Sequence, residues 1–168
     1  MLILQNQYIG RGRLSPADFL KGMIKMAEYT STATQTVASG QNVLFTEKSN
    51  CGKSCNIMHR GGSGIVTLRG SNNCCNPAKY RVSFGGNIAV AAGGTVGAIS
   101  IAIAIAGEPL YGSTATVTPA AIGDFFNVYT SAVITVPCNC CLTVAVENAS
   151  TATAIDVANA NLIAERIC

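Results

Sequence analysis

The residues of this 168-residue chain best equipped for chemistry are its eight cysteines. Cys51, Cys55, Cys74, Cys75, Cys138, Cys140, Cys141 and Cys168 all fall in expected loops or at the final position. An even number permits complete pairing. Adjacent cysteines point in different directions, so at least one of Cys74-Cys75 and one of Cys140-Cys141 needs a distant partner. Structural zinc favours Cys-x2-Cys pairs, whereas the spacings here are Cys51-x3-Cys55, two vicinal pairs and Cys138-x-Cys140. Disulfides are therefore the expectation, ahead of zinc or unpaired thiols, and no metal site is assigned. Oxidation of this kind belongs outside a reducing cytoplasm.

His59 is the single histidine, which removes most catalytic designs. A Cys-His nucleophile pair with Cys55 or Cys74 is conceivable, but a cysteine among other loop cysteines is more often a cross-link or an idle thiol. Gly52-Lys53-Ser54 resembles the end of a phosphate loop, yet Glu47 stands where that motif needs its first glycine and no helix pattern follows, so it reads as a turn. Glu108, Asp124, Glu147 and Asp156 are expected singly at strand ends, as solvated charge and not as a calcium site. Asn148-Ala149-Ser150 matches a glycosylation acceptor and is taken as a chance match. No catalytic residue and no cofactor follow from these residues, and no enzyme is expected.

Composition narrows the field further. Charged residues make up 11% of the chain and hydrophobic ones 49%, with no tryptophan, against about 25% charged in an average domain. Such a chain hides most of its faces. Residues 1–81 hold 10 basic and 3 acidic side chains and residues 82–168 hold 1 and 5, but Lys48, Lys53, Arg60, Arg69, Lys79 and Arg81 are scattered and lack interleaved aromatics. A nucleic-acid partner is not expected. Residues 82–107 carry no charge over a length sufficient for a membrane helix. Within them, however, Ile99, Ile101, Ile103 and Ile105 alternate with small residues, a period that belongs to a strand. No membrane span is expected, and Gly85-Gly86 and Gly93-Gly94 read as turns bounding strands. The opening MLILQNQYIGRGR interrupts its apolar run early and does not read as a secretory signal.

The elements that must position these groups fall into two parts, residues 1–30 and 31–168. In the first, Ser15-Pro16-Ala17-Asp18 is a helix start. Phe19, Leu20, Met23 and Ile24 then share one face of about three turns, opposite Lys21 and Lys25. With the extended, Arg11- and Arg13-bearing stretch before it, this segment reads as an attachment arm over residues 1–28, and Met26 as an alternative start. From residue 33 onward short runs rich in Val, Ile, Thr and Phe follow one another between Gly, Pro, Asn and Ser clusters. About eight strands in such a length describe an antiparallel two-sheet sandwich, for which a jelly roll is the fitting form. With Ile99, Ile101, Ile103 and Ile105 inside, Ala102 and Ala104 are expected to face a partner in a closely packed homo-oligomer. Of Tyr111, Phe125, Phe126 and Tyr129, at least two are expected in the core, which speaks against a glycan-binding surface.

The phrases Gly40-Gln41-Asn42-Val43-Leu44-Phe45, Lys79-Tyr80-Arg81-Val82-Ser83-Phe84, Gly107-Glu108-Pro109-Leu110 and the closing Ala158-Asn159-Ala160-Asn161-Leu162-Ile163-Ala164-Glu165-Arg166 resemble, in their order, the compact C1q/TNF-like jelly rolls. The bacterial and phage versions are nearest: C-terminal domains of spore-surface collagen-like glycoproteins and small proteins of gut Firmicutes phages and prophages. The resemblance implies a trimer that decorates or cross-links a particle surface, and a virion or extracellular particle as its location. A collagen-like Gly-X-Y stalk is missing and the arm stands in its place. That departure turns the expectation toward a phage head decoration or fibre protein bound to capsid through residues 1–28. A spore- or cell-surface appendage subunit and a glycan- or receptor-binding module are the alternatives.

Overall fold

The computed structural model describes residues 26–48, 56–72, 76–151 and 153–168. The expected arm helix, with Arg11, Arg13, Phe19, Leu20, Met23 and Ile24, lies outside the described residues, as do Cys51, Cys55, Cys74 and Cys75. Runs in which a large apolar residue alternates with a small or polar one become strands, because a period of two sends one set of side chains to each face of a sheet. In chain order the strands are β1 (Met26–Ser31), β2 (Gln35–Val37), β3 (Glu47–Lys48), β4 (Ile57–His59), β5 (Ile65–Arg69), β6 (Ala78–Val90), β7 (Ile99–Ile105), β8 (Glu108–Pro109), β9 (Ala115–Val117), β10 (Phe126–Val136), β11 (Cys141–Asn148) and β12 (Ile155–Arg166).

Two antiparallel sheets result. One has the order β10-β6-β12-β1-β3, with β2 also on β12; the other runs β4-β5-β11-β7-β8, with β9 also on β7. The chain is thus all-β, a jelly-roll sandwich. Its core lies between the sheets, where Tyr29, Tyr80, Val82, Phe84, Ile88 and Leu162 of the first meet Val66, Leu68, Ile99, Ile101, Ile103 and Val146 of the second. Each large side chain so buried contributes about 1.5–3 kcal/mol. The Tyr80 phenol crosses the layer and donates to the Arg69 carbonyl at 2.6 Å. Burial pushes its pKa up, an effect partly opposed by the positive charge of Arg166. At one side, the Thr130 hydroxyl donates to the Ser113 carbonyl in the short 3-10 turn Tyr111–Ser113 and ties β10 to the second sheet.

Two expectations change. β1 begins at Met26 and buries Ala27 and Tyr29 in the core, so the sandwich starts inside the stretch read as arm. Gly85 and Gly86 are not a turn but the middle of β6, paired with Tyr129 and Val128. A Cβ on Gly86 would stand 3.0 Å from the Phe84 ring and 3.5 Å from the Ala160 Cα. Ala160 lies where the β6–β12 register shifts, beside Asn159 at φ 53°. The glycine makes room for that irregularity.

Candidate functional site

The outward face of the first sheet is the part of the molecule least explained by its own fold. Along β10 the outward positions are Asn127, Tyr129, Ser131, Val133 and Thr135, opposite Asn87, Gly85, Ser83, Arg81 and Lys79 of β6. β12 continues the same rows with Asn161 opposite Gly85, Ile163 opposite Ser83 and Glu165 opposite Arg81. Tyr129 is 66% exposed and Val133 59%. The Tyr129 ring stands 3.9 Å from where a Cβ of Gly85 would lie, over bare backbone. Around it the polar groups are short and partly occupied with one another: the Ser83 hydroxyl donates to Ser131 at 3.2 Å and Asn127 Nδ2 to Asn87 Oδ1 at 3.2 Å. Charge enters away from Tyr129: Arg81 and Glu165 meet at 3.8 Å toward one end with side chains about half in solvent, Asp156 accepts from the Thr36 hydroxyl toward the other, and Glu28 of β1 accepts from Asn161 Nδ2 at 2.8 Å. The Arg81–Glu165 pair, so exposed, adds little stability. Among the described residues β10 has a strand partner on one edge only, with β9 and the turn Tyr111–Ser113 packed beside the other.

The expected contact residues Ala102 and Ala104 are a correction. They do point away from the core, opposite Ile101 and Ile103 in the alternation of β7, but both are 0% exposed within the single chain. Ala102 lies opposite Glu147, and Ala104 sits between Ala145 and Pro109. A methyl is the shortest side chain of such a row, so it leaves no surface to offer. The aromatics are a second correction: Tyr111 (82%), Tyr129, Phe125 and Phe126 are all exposed, none in the core. For Tyr129 the signal was readable, because it shares its parity with Val133 and is opposite to buried Val128 and Ile134.

His59 packs its ring 4.5 Å from that of Tyr29 and shares a 2.8 Å hydrogen bond between Nε2 and the Ser63 carbonyl. Phe45 lies edge-on to it at 6.4 Å, and Arg60, Ser63 and Thr67 line the same surface hollow. Glu147 is less solitary than its position suggested. Burial, and secondarily the charge of Glu108, push its carboxyl above the usual range. No group of three His, Cys, Asp or Glu side chains is arranged to hold a metal among the described residues. Asn148, the glycosylation match, is 0% exposed. Its Nδ2 donates to the carbonyls of Val37 and Thr153, each at 2.9 Å, while Oδ1 accepts from the Ser150 N–H at 3.0 Å. It is a buried clamp between strands and has no room for a sugar.

The cysteines gather by topology. β5 and β10 end, and β6 and β11 begin, at one pole of the sandwich, where β12 also ends. Cys140 and Cys141 are exposed there on the second sheet, Gly70 N–H donating to the Cys140 carbonyl at 2.8 Å. Cys138 is half-buried with its thiol 3.5 Å from the Asn76 carbonyl. Cys168 is exposed on the first sheet, its carbonyl accepting from the Lys79 N–H at 3.1 Å. No helix among the described residues is long and apolar enough to cross a membrane.

No protein-family model matches the chain, and no curated protein matches it in sequence. Solved structures do. The globular domain of zebrafish complement 1qA protein shares 15% identity over 86% of this chain and 98% of its own, with a TM-score of 0.54. The TNF Eiger of S. frugiperda shares 9% identity over 85% of this chain and 92% of its own, with a TM-score of 0.62. At such identities the likeness is one of architecture: the chain has the C1q/TNF-like jelly-roll fold.

Proposed function

We propose that the chain is a non-enzymatic structural module. It associates with itself as a trimer and builds or decorates a particle surface, a phage virion in the first instance, held there by the part of the arm that precedes β1, residues 1–25. The observation that carries this reading is the outward face of β10, β6 and β12. Its β10 and β6 positions around Tyr129 are small and uncharged, and it presents Tyr129 and Val133 to solvent. Apolar and aromatic groups over small residues are what a close subunit contact uses. Light scattering on the reduced full chain is expected to give three times its 17.3 kDa. Tyr129→Glu and Val133→Glu should each yield a folded monomer, because a charge would have to be desolvated at the contact centre. A wild type of monomer mass, or variants that keep the trimer, would overturn the reading. A second reading, recognition of a glycan or receptor, draws on Tyr111, whose ring is 82% exposed. Under that reading Tyr111→Ala abolishes binding to a glycan panel and leaves the oligomer mass unchanged.

A further inference from the structure

We infer that Cys140 and Cys141 form disulfides between copies of this chain, on the side of the molecule away from the associating face. Free cysteine is ordinarily among the most buried residue types, yet Cys140, Cys141 and Cys168 are all exposed at one pole. Cys140 and Cys141 do not serve one another: Cys140 ends the turn before β11 and Cys141 opens the strand, and the Cys140 thiol lies 3.5 Å from the Cys141 carbonyl. Cys168 ends the first sheet beside Lys79, whereas Cys141 pairs with Arg69 in the second.

The location follows from the trimer reading, on which this inference rests. If the first sheet faces inward, the second faces outward and carries Cys140 and Cys141 on the perimeter, with Arg69 alongside. The same turn from a second trimer, related by a local two-fold, brings equivalent thiols together, since a two-fold contact pairs a patch with itself. Each bridge forms by two thiol–disulfide exchanges with a small-molecule disulfide such as oxidised glutathione. Two cysteine S–H bonds are lost and one protein S–S bond is made, while the S–S bond of the oxidant is broken and leaves as two thiols. The bridges, together with the trimer contacts, join the chains into a net.

The test uses the full chain incubated with oxidised glutathione and run on non-reducing denaturing electrophoresis, with peptide mapping of the bands. A band of two chains that collapses on reduction is expected. The double variant Cys140→Ser/Cys141→Ser should lose it and keep the wild-type Tm under reduction; Cys168→Ser should retain it. A two-chain band that persists in the double variant overturns the inference, as does recovery of Cys140 and Cys141 bonded to Cys51, Cys55, Cys74 or Cys75 of the same chain, or capped by glutathione. A trimer by light scattering without the band removes the bridges and leaves the trimer. The band from a chain that is monomeric when reduced overturns the trimer and, with it, the perimeter placement, and leaves the bridges.

Discussion

Two neighbouring residues of β11, Glu147 and Asn148, show how much depends on the face a side chain takes. Asn148 points inward and satisfies backbone groups of three other residues. Leaving buried carbonyls without a donor costs about 1–3 kcal/mol each, so Asn148→Ala is expected to lose about 3 kcal/mol in urea unfolding. Glu147 points outward into partial burial near Glu108, and its carboxyl is raised. A carboxyl raised in the folded state holds its proton more tightly there than in the unfolded chain. Its ionisation therefore weakens the fold as pH rises from the ordinary carboxylate range through the raised value, and the penalty is complete above it. Glu147→Gln should raise Tm at neutral pH, and the gain should vanish in acid below the ordinary carboxylate range. A gain equal at both pH values would show that charge is not its cause.

Among the elements, turns and strand ends are where this sandwich tolerates least. Gly70 follows β5 so closely against the turn after β10 that an added Cβ would lie 1.9 Å from the Pro137 carbonyl oxygen. Backbone on both sides leaves no flexible atom to yield. Gly70→Ala should therefore lower stability by more than the roughly 1 kcal/mol of an ordinary substitution, read as a fall in the urea midpoint without a change of slope. β1 sets a limit of another kind. Removing residues 1–25 leaves Met26–Ser31 paired with β12 and should give a folded domain. Removing residues 1–32 takes out Tyr29 and Ala27 and exposes the edge of β12, and should give an unfolded or aggregated one. Circular dichroism of the two truncations separates these outcomes.

For the molecule as a whole, the proposed function assigns folding and association to different faces, and two substitutions to glutamate tell them apart. Ala102 is completely covered inside one chain, so Ala102→Glu forces a charge into space already filled and should lower Tm of the reduced protein sharply. Tyr129→Glu, on the exposed face, should leave the monomer's Tm nearly unchanged and alter only its mass. Were Ala102→Glu to fold with wild-type stability as a monomer, association would run through the second sheet instead.

The period of two, the turn residues between runs and the low charge were enough to determine an all-β sandwich, because alternation needs only local geometry and a core to point toward. β6, β7 and β9 to β12 all lie in runs legible as strands. β1 was not legible, since MAEYTS is short, carries a charge and is held by β12 across separations of 129 to 139 residues. The roles of single residues were decided only by the tertiary structure. Gly85-Gly86 has turn composition, but pairing on both sides holds it in the middle of a strand. Ala102 and Ala104 have the right parity for an outer face, but parity says which way a methyl points and nothing of what closes over it. Tyr129 and Val133 share a face with each other by sequence alone; that small, uncharged residues surround Tyr129 on β10 and β6 follows from which strands the fold brings beside β10.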